Sequence, residues 1–227
     1  MSDPSATINQ PGGPFVAVAH DAVRGREVEL RVLADAFREL AELSMTADLD
    51  VAETAAMADR VIALGDELER FRPEVPVPRF TVEAQEAGPR EQMSPFDVIT
   101  GLYNPVALPL AMTYDDEFAI GRGQFGVLHA GPPGRLHGAV IAACFDMVLA
   151  GANRVAGRHG PTANLTVTYE RPTVLDKPVT FRCWQERSEG RKIHSAGELI
   201  QEDEVTARAR GLFIHMDRSA IEKMGAD

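Results

Sequence analysis

The chain has 227 residues, of which 44% are hydrophobic and 25% charged, the ordinary composition of a globular protein with one good-sized core. Its formal net charge is −11, and a field of that sign repels polyanions, so the composition argues against a nucleic-acid partner. Any anionic ligand must therefore be met by a local cluster of basic residues.

The N-terminal segment and the cysteines predict a cytoplasmic location. The N-terminus has neither the basic nor the apolar region of a signal peptide, and no apolar run approaches the roughly 20 residues that span a bilayer. Cys144 and Cys183 lack CxxC or metal-ligand spacing, so we expect two reduced thiols in the core. The six histidines show no recurring ligand pattern, and the sequence therefore predicts no metal and no cofactor.

Composition divides the chain into a helical N-terminal part and a larger body. Residues 1–20 are rich in Pro, Gly and Ser and are predicted to be flexible. Residues 21–72 are predicted to form a helical hairpin. Residues 73–95 begin with several prolines, which cannot continue a helix, and are predicted to be a linker. The body is predicted at 96–217, before a C-terminal tail at 218–227.

The hairpin prediction rests on two amphipathic segments separated by a break. The first helix is expected from about residue 23 to 44, and Asp48 or Asp50 is positioned to cap a second helix that ends near residue 71. Acidic residues outnumber basic ones, which we interpret as a solvated outer face. The apolar faces carry Leu33, Phe37 and Leu40 in the first helix, and Val61, Leu64 and Leu68 in the second.

The body is predicted to be an α+β domain in which an antiparallel sheet wraps one long helix. One or two strand candidates precede the apolar helix candidate at 137–152, and at least four follow it. In "TANLTVTYERPT", Leu165, Val167 and Tyr169 alternate with polar residues, the period of a half-buried strand. The turns "EGRK" and "EDE" are short enough for antiparallel hairpins, so a wrapped helix fits this order better than a βαβ alternation.

Several common catalytic and nucleotide-binding signatures are missing or out of context. The stretch "GRGQFG", from Gly121 to Gly126, matches the spacing G-x-G-x-x-G, but it is followed by another strand-like run rather than by a helix. We interpret it as a glycine-rich hairpin. There is no GxSxG motif and neither cysteine has a neighbouring base, so the sequence gives no support to covalent Ser or Cys catalysis.

Asp146 is the one polar residue between Ala139 and Ala150. An unpaired buried carboxylate is so costly that either a partner must compensate for it or a function must require it. The same helix starts at "RLHGA", where the first-turn N–H groups of His137, Gly138 and Ala139 have no partners within the helix. Such N–H groups are suited to stabilise negative charge that develops on a carbonyl oxygen.

The helix start at His137 and the carboxylate of Asp146 are too far apart to act on the same carbonyl group within one chain. Asp146 follows His137 by nine residues, or about 13 Å of helix. Two antiparallel copies of the helix could bring the carboxylate of one chain to the helix start of the other. We therefore predict a composite site at a homodimer interface; the alternative is that Asp146 belongs to a structural hydrogen-bond network.

These residues resemble the PaaI-like hotdog thioesterases, especially the branch that hydrolyses long-chain acyl-CoA. The shared features are "GPPG", a His-Gly pair that opens a helix, an aspartate nine residues after the histidine, the strand "TANLTVTYERPT" and the turn "EGRK". The resemblance covers about residues 95–216 and not the helical N-terminus. It implies a hotdog fold and hydrolysis of an acyl-CoA thioester by a homodimer or a dimer of dimers.

The resemblance also implies residue roles. Asp146 would be general base or nucleophile, His137 and Gly138 would position and polarise the thioester carbonyl, and Thr162 would place the water or the carboxylate. Ala139 departs from the family pattern, which has a second glycine there. Cations must meet the phosphates of CoA, and the candidates are Arg191 and Lys192 in the "EGRK" turn, followed by Arg135 and Arg158.

Three other functions remain open at this point. A non-catalytic module that binds acyl-CoA or another lipid is favoured by Ala139. A hotdog hydratase would carry a histidine five residues after the aspartate, where this chain has Gly151. An interaction scaffold could be built on the acidic helical hairpin.

Overall fold

The computed structural model describes residues 22–75 and 95–216. The flexible segment predicted at 1–20, most of the linker predicted at 73–95 and the tail predicted at 218–227 lie outside these residues. The α-helices within the described ranges are α1 (Glu27–Thr46), α2 (Val51–Glu69) and α3 (Gly138–Val155), and a short 3-10 helix covers Val127–His129. The strands are β1 (Leu110–Tyr114), β2 (Ala119–Gln124), β3 (Thr162–Tyr169), β4 (Pro178–Glu189), β5 (Lys192–Gln201) and β6 (Glu204–Ile214).

The body is one antiparallel sheet packed on one long helix. The six strands have the order β1-β2-β4-β5-β6-β3, and α3 packs against the sheet. The chain order of two strands, one helix and four strands matches the sequence prediction, and the predicted α+β hotdog architecture is confirmed. Because β1 and β3 lie at the two edges, the outer edge of β3 has no strand partner within the described ranges.

The core lies between α3 and the inner face of the sheet. Phe145 of α3 and Phe181 of β4 are fully buried and meet edge to face, with ring centroids 5.0 Å apart. Both cysteines are buried and unpaired, as predicted. Burial raises the pKa of the Cys144 thiol to about 12, so this side chain stays protonated near neutral pH and is a poor nucleophile.

The glycines of "GRGQFG" are explained by close packing and not by nucleotide binding. Gly121 and Gly123 lie in β2, which forms a hairpin with β1 as predicted. A Cβ at Gly121 would lie 2.7 Å from Cγ2 of Val148, and one at Gly123 would lie 2.4 Å from the carbonyl oxygen of Pro109. Any side chain at these two positions would push β2 away from its neighbours.

Helix α1 is held to the body by Arg38. The Arg38 guanidinium donates hydrogen bonds to three backbone carbonyl oxygens of one loop, those of Gly101 (3.3 Å), Leu102 (3.3 Å) and Asn104 (2.6 Å). On the same side of the helix, Ala34 is 3% exposed. One face of α1 therefore packs against the body.

Helix α2 begins where the sequence predicted, but its apolar side chains do not pack against α1. Asp50 is the N-cap, and its side chain and that of Glu53 complete a capping box. None of the residues of α2 is buried, and its apolar side chains are exposed. The shared apolar core expected of an αα-hairpin is therefore not formed within one chain. Helical periodicity identifies the apolar face of a helix, but it does not say what covers that face.

Candidate functional site

Asp146 and Thr162 are brought together, as the resemblance implied. The Thr162 hydroxyl donates a hydrogen bond of 2.6 Å to Oδ1 of Asp146. Asp146 lies in the middle of α3 and is half-buried, whereas Thr162 is the first residue of β3 and is exposed. The register of β3 against β6 shifts between Thr162 and Asn164, at the end of the strand where Thr162 meets the helix. The carboxylate thus has a fixed orientation and one oxygen outside this hydrogen bond.

The helix start is organised by His137, the N-cap of α3. Its Nδ1 accepts a hydrogen bond of 3.0 Å from the N–H of Ala139, and its own N–H donates to the carbonyl oxygen of His129 at 2.9 Å. A ring nitrogen that accepts carries no proton, so the ring proton lies on Nε2, which is a donor on an exposed side chain.

Of the three first-turn N–H groups predicted to face a ligand, two are already engaged. The N–H of His137 and that of Ala139 have the partners just described. The N–H of Gly138 has no acceptor within residues 22–75 and 95–216. The donors that remain at this helix start are therefore the Gly138 N–H and His137 Nε2–H.

Tyr169 is a neighbour of this helix start that the sequence analysis missed. Its hydroxyl donates a hydrogen bond of 2.8 Å to the carbonyl oxygen of Gly138, and a Cβ at Gly138 would lie 3.2 Å from Cζ and Oη of the ring. The alternation of β3 placed Tyr169 on the same face as Leu165 and Val167, yet the side chain is 51% exposed. No local pattern signals this contact, because it joins residues 31 positions apart.

Replacing Tyr169 by Phe is expected to loosen the first turn of α3. The change removes one hydrogen bond to the Gly138 carbonyl, worth about 1 kcal/mol. Amide hydrogen exchange of a peptide that covers the first turn should become faster, about fivefold for that free energy. Tyr103→Phe, in the loop that holds α1, is the matched control and should leave this exchange unchanged. Equal exchange in Tyr169→Phe and the wild type would show that the hydroxyl does not fix the helix start.

The two halves of the predicted site stay apart within one chain. His137 and Gly138 open α3, and Asp146 follows about 13 Å along the same helix. Ala139 is exposed and Ala143 is half-buried on the side of α3 that leads towards Asp146. The structure of one chain thus contains a carboxylate with a hydroxyl partner and, separately, a helix start with open donors.

The predicted phosphate-binding residues also fall into two groups. Arg158 precedes β3, and its guanidinium donates to the carbonyl oxygen of Gly190 (2.6 Å) and to Oγ of Ser188 (3.3 Å), so that it holds the β4–β5 turn. Arg191 and Lys192 lie in that turn and at the start of β5, at the end of the sheet where Thr162 lies. Arg191 donates through Nε to the carbonyl oxygen of His215 at 3.3 Å.

Arg135 lies apart from the other three basic residues. It is exposed, two residues before His137, and forms an isolated backbone bridge with Val174. One basic residue is therefore near the helix start, and three are near the end of the sheet that holds Thr162. Within the described parts of the chain, no group of three or more His, Cys, Asp or Glu residues could hold a metal ion.

The packing around Gly151 bears on the hydratase alternative. Gly151 is buried, and a Cβ there would lie 2.6 Å from Cε of Met112 and 3.2 Å from Cε1 of Tyr114. A histidine side chain at this position would therefore have to displace the side chains of Met112 and Tyr114. This helix lacks the carboxylate–histidine pair of a hotdog hydratase, because Gly151 occupies the position of the histidine.

Comparison with known sequences shows what the body is similar to. Residues 133–208 match the family described as Thioesterase superfamily. The acyl-coenzyme A thioesterase THEM4 of Mus musculus is 31% identical over 132 residues, which are 56% of this chain and 57% of the relative. THEM4 of Bos taurus is 34% identical over 96 residues, 41% of this chain and 39% of the relative. The chain thus spans about half the length of these relatives.

A solved structure extends the likeness beyond the body. The crystal structure of a thioesterase superfamily protein superimposes with a TM-score of 0.73 at 29% identity, and the match covers 82% of this chain and 94% of that one. Residues 96–216 are about half of this chain, so the similarity extends beyond the body.

Proposed function

We propose, from the premise that the body of this chain is a hotdog domain of the thioesterase superfamily, that the protein hydrolyses acyl-coenzyme A thioesters to a free acid and CoA. The observation that carries the proposal is the hydrogen bond of 2.6 Å between Thr162 and Asp146, next to an otherwise apolar helix surface. The names of the THEM4 relatives support acyl-CoA as the substrate class.

The active species is a homodimer with two composite sites. By length and composition α3 is apolar enough to cross a membrane, the only such helix in the described ranges, yet only half of it is buried inside one chain. The uncovered part includes Ala139, Ala143 and Asp146, and the outer edge of β3 is also unpaired within the described ranges. A second copy placed antiparallel covers both surfaces and brings its own Asp146 to the Gly138 of the first.

The chemistry follows from the groups that meet there. The thioester carbonyl oxygen lies against the Gly138 N–H and His137 Nε2–H of one protomer, which stabilise the negative charge that develops on it. Asp146 of the second protomer takes a proton from a water that attacks the carbonyl carbon. The new C–O bond forms, the C–S bond breaks, and its electron pair leaves with the sulfur of CoA. The proton held by Asp146 then passes to that sulfur, so that CoA is released as the thiol and the carboxylate is regenerated.

A second route uses the same groups. Asp146 attacks the carbonyl carbon directly, the C–S bond breaks, and CoA leaves as the thiolate. Water then hydrolyses the mixed anhydride, which restores the carboxylate and releases the proton that converts the thiolate to the thiol. Thr162 holds the carboxylate in place through Oδ1 in either route and orients the water in the first. No metal takes part in either.

The phosphates of CoA bind to basic residues from both protomers. Arg191 and Lys192 extend from the turn near Thr162, and Arg135 lies beside the helix start. In the dimer these residues flank one site from two sides. Arg158 acts through the β4–β5 turn that it holds, since its guanidinium is bonded to Gly190 and Ser188.

A non-catalytic hotdog module that binds acyl-CoA or another lipid is the second candidate. Ala139 favours it, because its exposed methyl group occupies the position where the family pattern has a glycine and narrows the approach to the Gly138 N–H.

A thiol-release assay across acyl-CoA chain lengths separates the two candidates. Hydrolysis is expected with at least one chain length, in proportion to protein concentration. The protein's own thiols give little background, since both cysteines are buried and burial raises the pKa of each. Tight binding of acyl-CoA without thiol release at any chain length would support the binding module and contradict the thioesterase.

A further inference from the structure

Helix α2 exposes an apolar stripe that no residue within 22–75 and 95–216 covers. Met57, Val61, Leu64 and Leu68 are 43%, 47%, 41% and 41% exposed, and none of the residues of α2 is buried. Helices in proteins gain most of their stability from packing an apolar face, and the stripe of α2 has no such packing within the described ranges. The capping box at Asp50 stabilises one end of α2 but leaves the stripe in contact with solvent.

The spacing of the stripe is that of a two-stranded helical seam. Successive members are four, three and four residues apart, the alternation of the a and d positions of a heptad. This spacing of four, three and four reads the same from either end of the helix. In an antiparallel pair, Met57 of one copy therefore lies opposite Leu68 of the other, and Val61 lies opposite Leu64. We propose that α2 pairs antiparallel with α2 of a second copy of this chain, about a two-fold axis level with Ile62 and Ala63.

The charges beside the stripe complement each other in this pairing. Arg60 and Glu67 occupy one flank, the g positions of the heptad, which face each other in an antiparallel pair. Arg60 of each copy then lies beside Glu67 of the other, and the two-fold axis produces this contact twice. A parallel pair offers no such match, because there the g positions face the uncharged e positions.

The remaining positions of α2 are consistent with the same geometry. Ala58 and Gly65 occupy the other flank, the e positions, where small residues allow close approach of the two helices. Asp59 and Asp66 lie at the f positions, on the side away from the seam, so like charges do not meet across it. An acidic helix therefore buries its apolar stripe against a copy of itself without charge repulsion.

This contact is distinct from the composite site and does not depend on the proposed function. None of the residues of α2 belongs to the site around Asp146 or to the helix start at His137. The pairing adds a second two-fold interface to the chain.

Charge exchange tests the pairing in the full-length protein. Sedimentation velocity over a range of concentrations measures the assembly of the wild type and of Arg60→Glu, Glu67→Arg and the double variant. Each single variant places like charges together twice and should weaken the α2-dependent step about tenfold, and the double variant should restore it. Asp59→Lys, at an f position, is the control and should assemble like the wild type. Weakening without restoration in the double variant would assign the stripe to a different partner.

Cysteine cross-linking tests the register. In the double variant Val61→Cys, Leu64→Cys, the thiol at position 61 of one copy faces the thiol at position 64 of the other. Mild oxidation should therefore yield a covalent dimer. The natural thiols do not compete, because both are buried. Asp59→Cys, Asp66→Cys should give no covalent dimer. Failure of the first pair to cross-link would overturn the pairing, as would a Leu64→Asp variant whose assembly equals that of the wild type.

Discussion

Asp146→Asn is expected to lower the turnover of acyl-CoA at least about a hundredfold while leaving the fold intact, the smallest loss typical of removing a catalytic acid–base group. Asparagine has the same shape as aspartate, and its Oδ1 can still accept the hydrogen bond that Thr162 donates. It can neither take a proton from water nor attack a carbonyl. The loss should therefore appear in kcat, measured by thiol release under saturating acyl-CoA.

Two comparisons separate a catalytic Asp146 from a structural one. Asp66→Asn, an exposed carboxylate on α2, removes the same charge and should keep wild-type turnover. Thermal unfolding of Asp146→Asn should stay close to that of the wild type. Near wild-type turnover of Asp146→Asn would contradict the proposed mechanism. A large loss of stability would instead support the alternative that Asp146 belongs to a structural hydrogen-bond network.

The central helix and its carboxylate could be predicted from the sequence because both leave local signals. An apolar run is interrupted once, at Asp146, and a His-Gly pair after "GPPG" marks the helix start. The strand that begins at Thr162 follows from its alternation. These features depend on residues near each other in the chain, so pattern and spacing were sufficient.

The details of the helix start could not be predicted, because they depend on contacts between distant residues and on one rotamer. His137 satisfies the Ala139 N–H with its own ring, which reduces three candidate donors to the Gly138 N–H and His137 Nε2–H. Tyr169 reaches the Gly138 carbonyl across 31 positions of sequence. Neither hydrogen bond alters hydrophobic periodicity, which was the main signal available.

The packing of the N-terminal helices could not be predicted from the sequence for a related reason. Leu64 and Leu68 were assigned correctly to an apolar face, but an amphipathic pattern is the same whether the face meets a neighbouring helix, the body or another chain. Arg38, which holds α1 to the body, makes its contacts with backbone carbonyl oxygens, and these carry no sequence signature. Periodicity therefore predicted the helices and their apolar faces, but not what packs against those faces.

Mixed dimers of two inactive chains are expected to regain activity. In a dimer of one Asp146→Asn chain and one Gly138→Val chain, one composite site receives Asp146 and Gly138 intact, and the other receives both changes. Valine at 138 is disruptive because even a Cβ there lies 3.2 Å from the Tyr169 ring. Purified mixed dimers should show about half of the wild-type turnover, since one of the two equivalent sites in a two-fold dimer is intact.

The test depends on verified mixed dimers and on two controls. Each variant carries a different affinity tag, and two successive purifications select dimers that contain both chains. Each variant alone should be inactive, and so should a mixed dimer in which one chain carries both changes and the other carries Asp146→Asn, because neither site then has its carboxylate. If catalysis were confined to one chain, both variant chains would be inactive in any combination, and mixed dimers would show no recovery. Recovery to about half would instead require that the carboxylate and the helix start act across the interface.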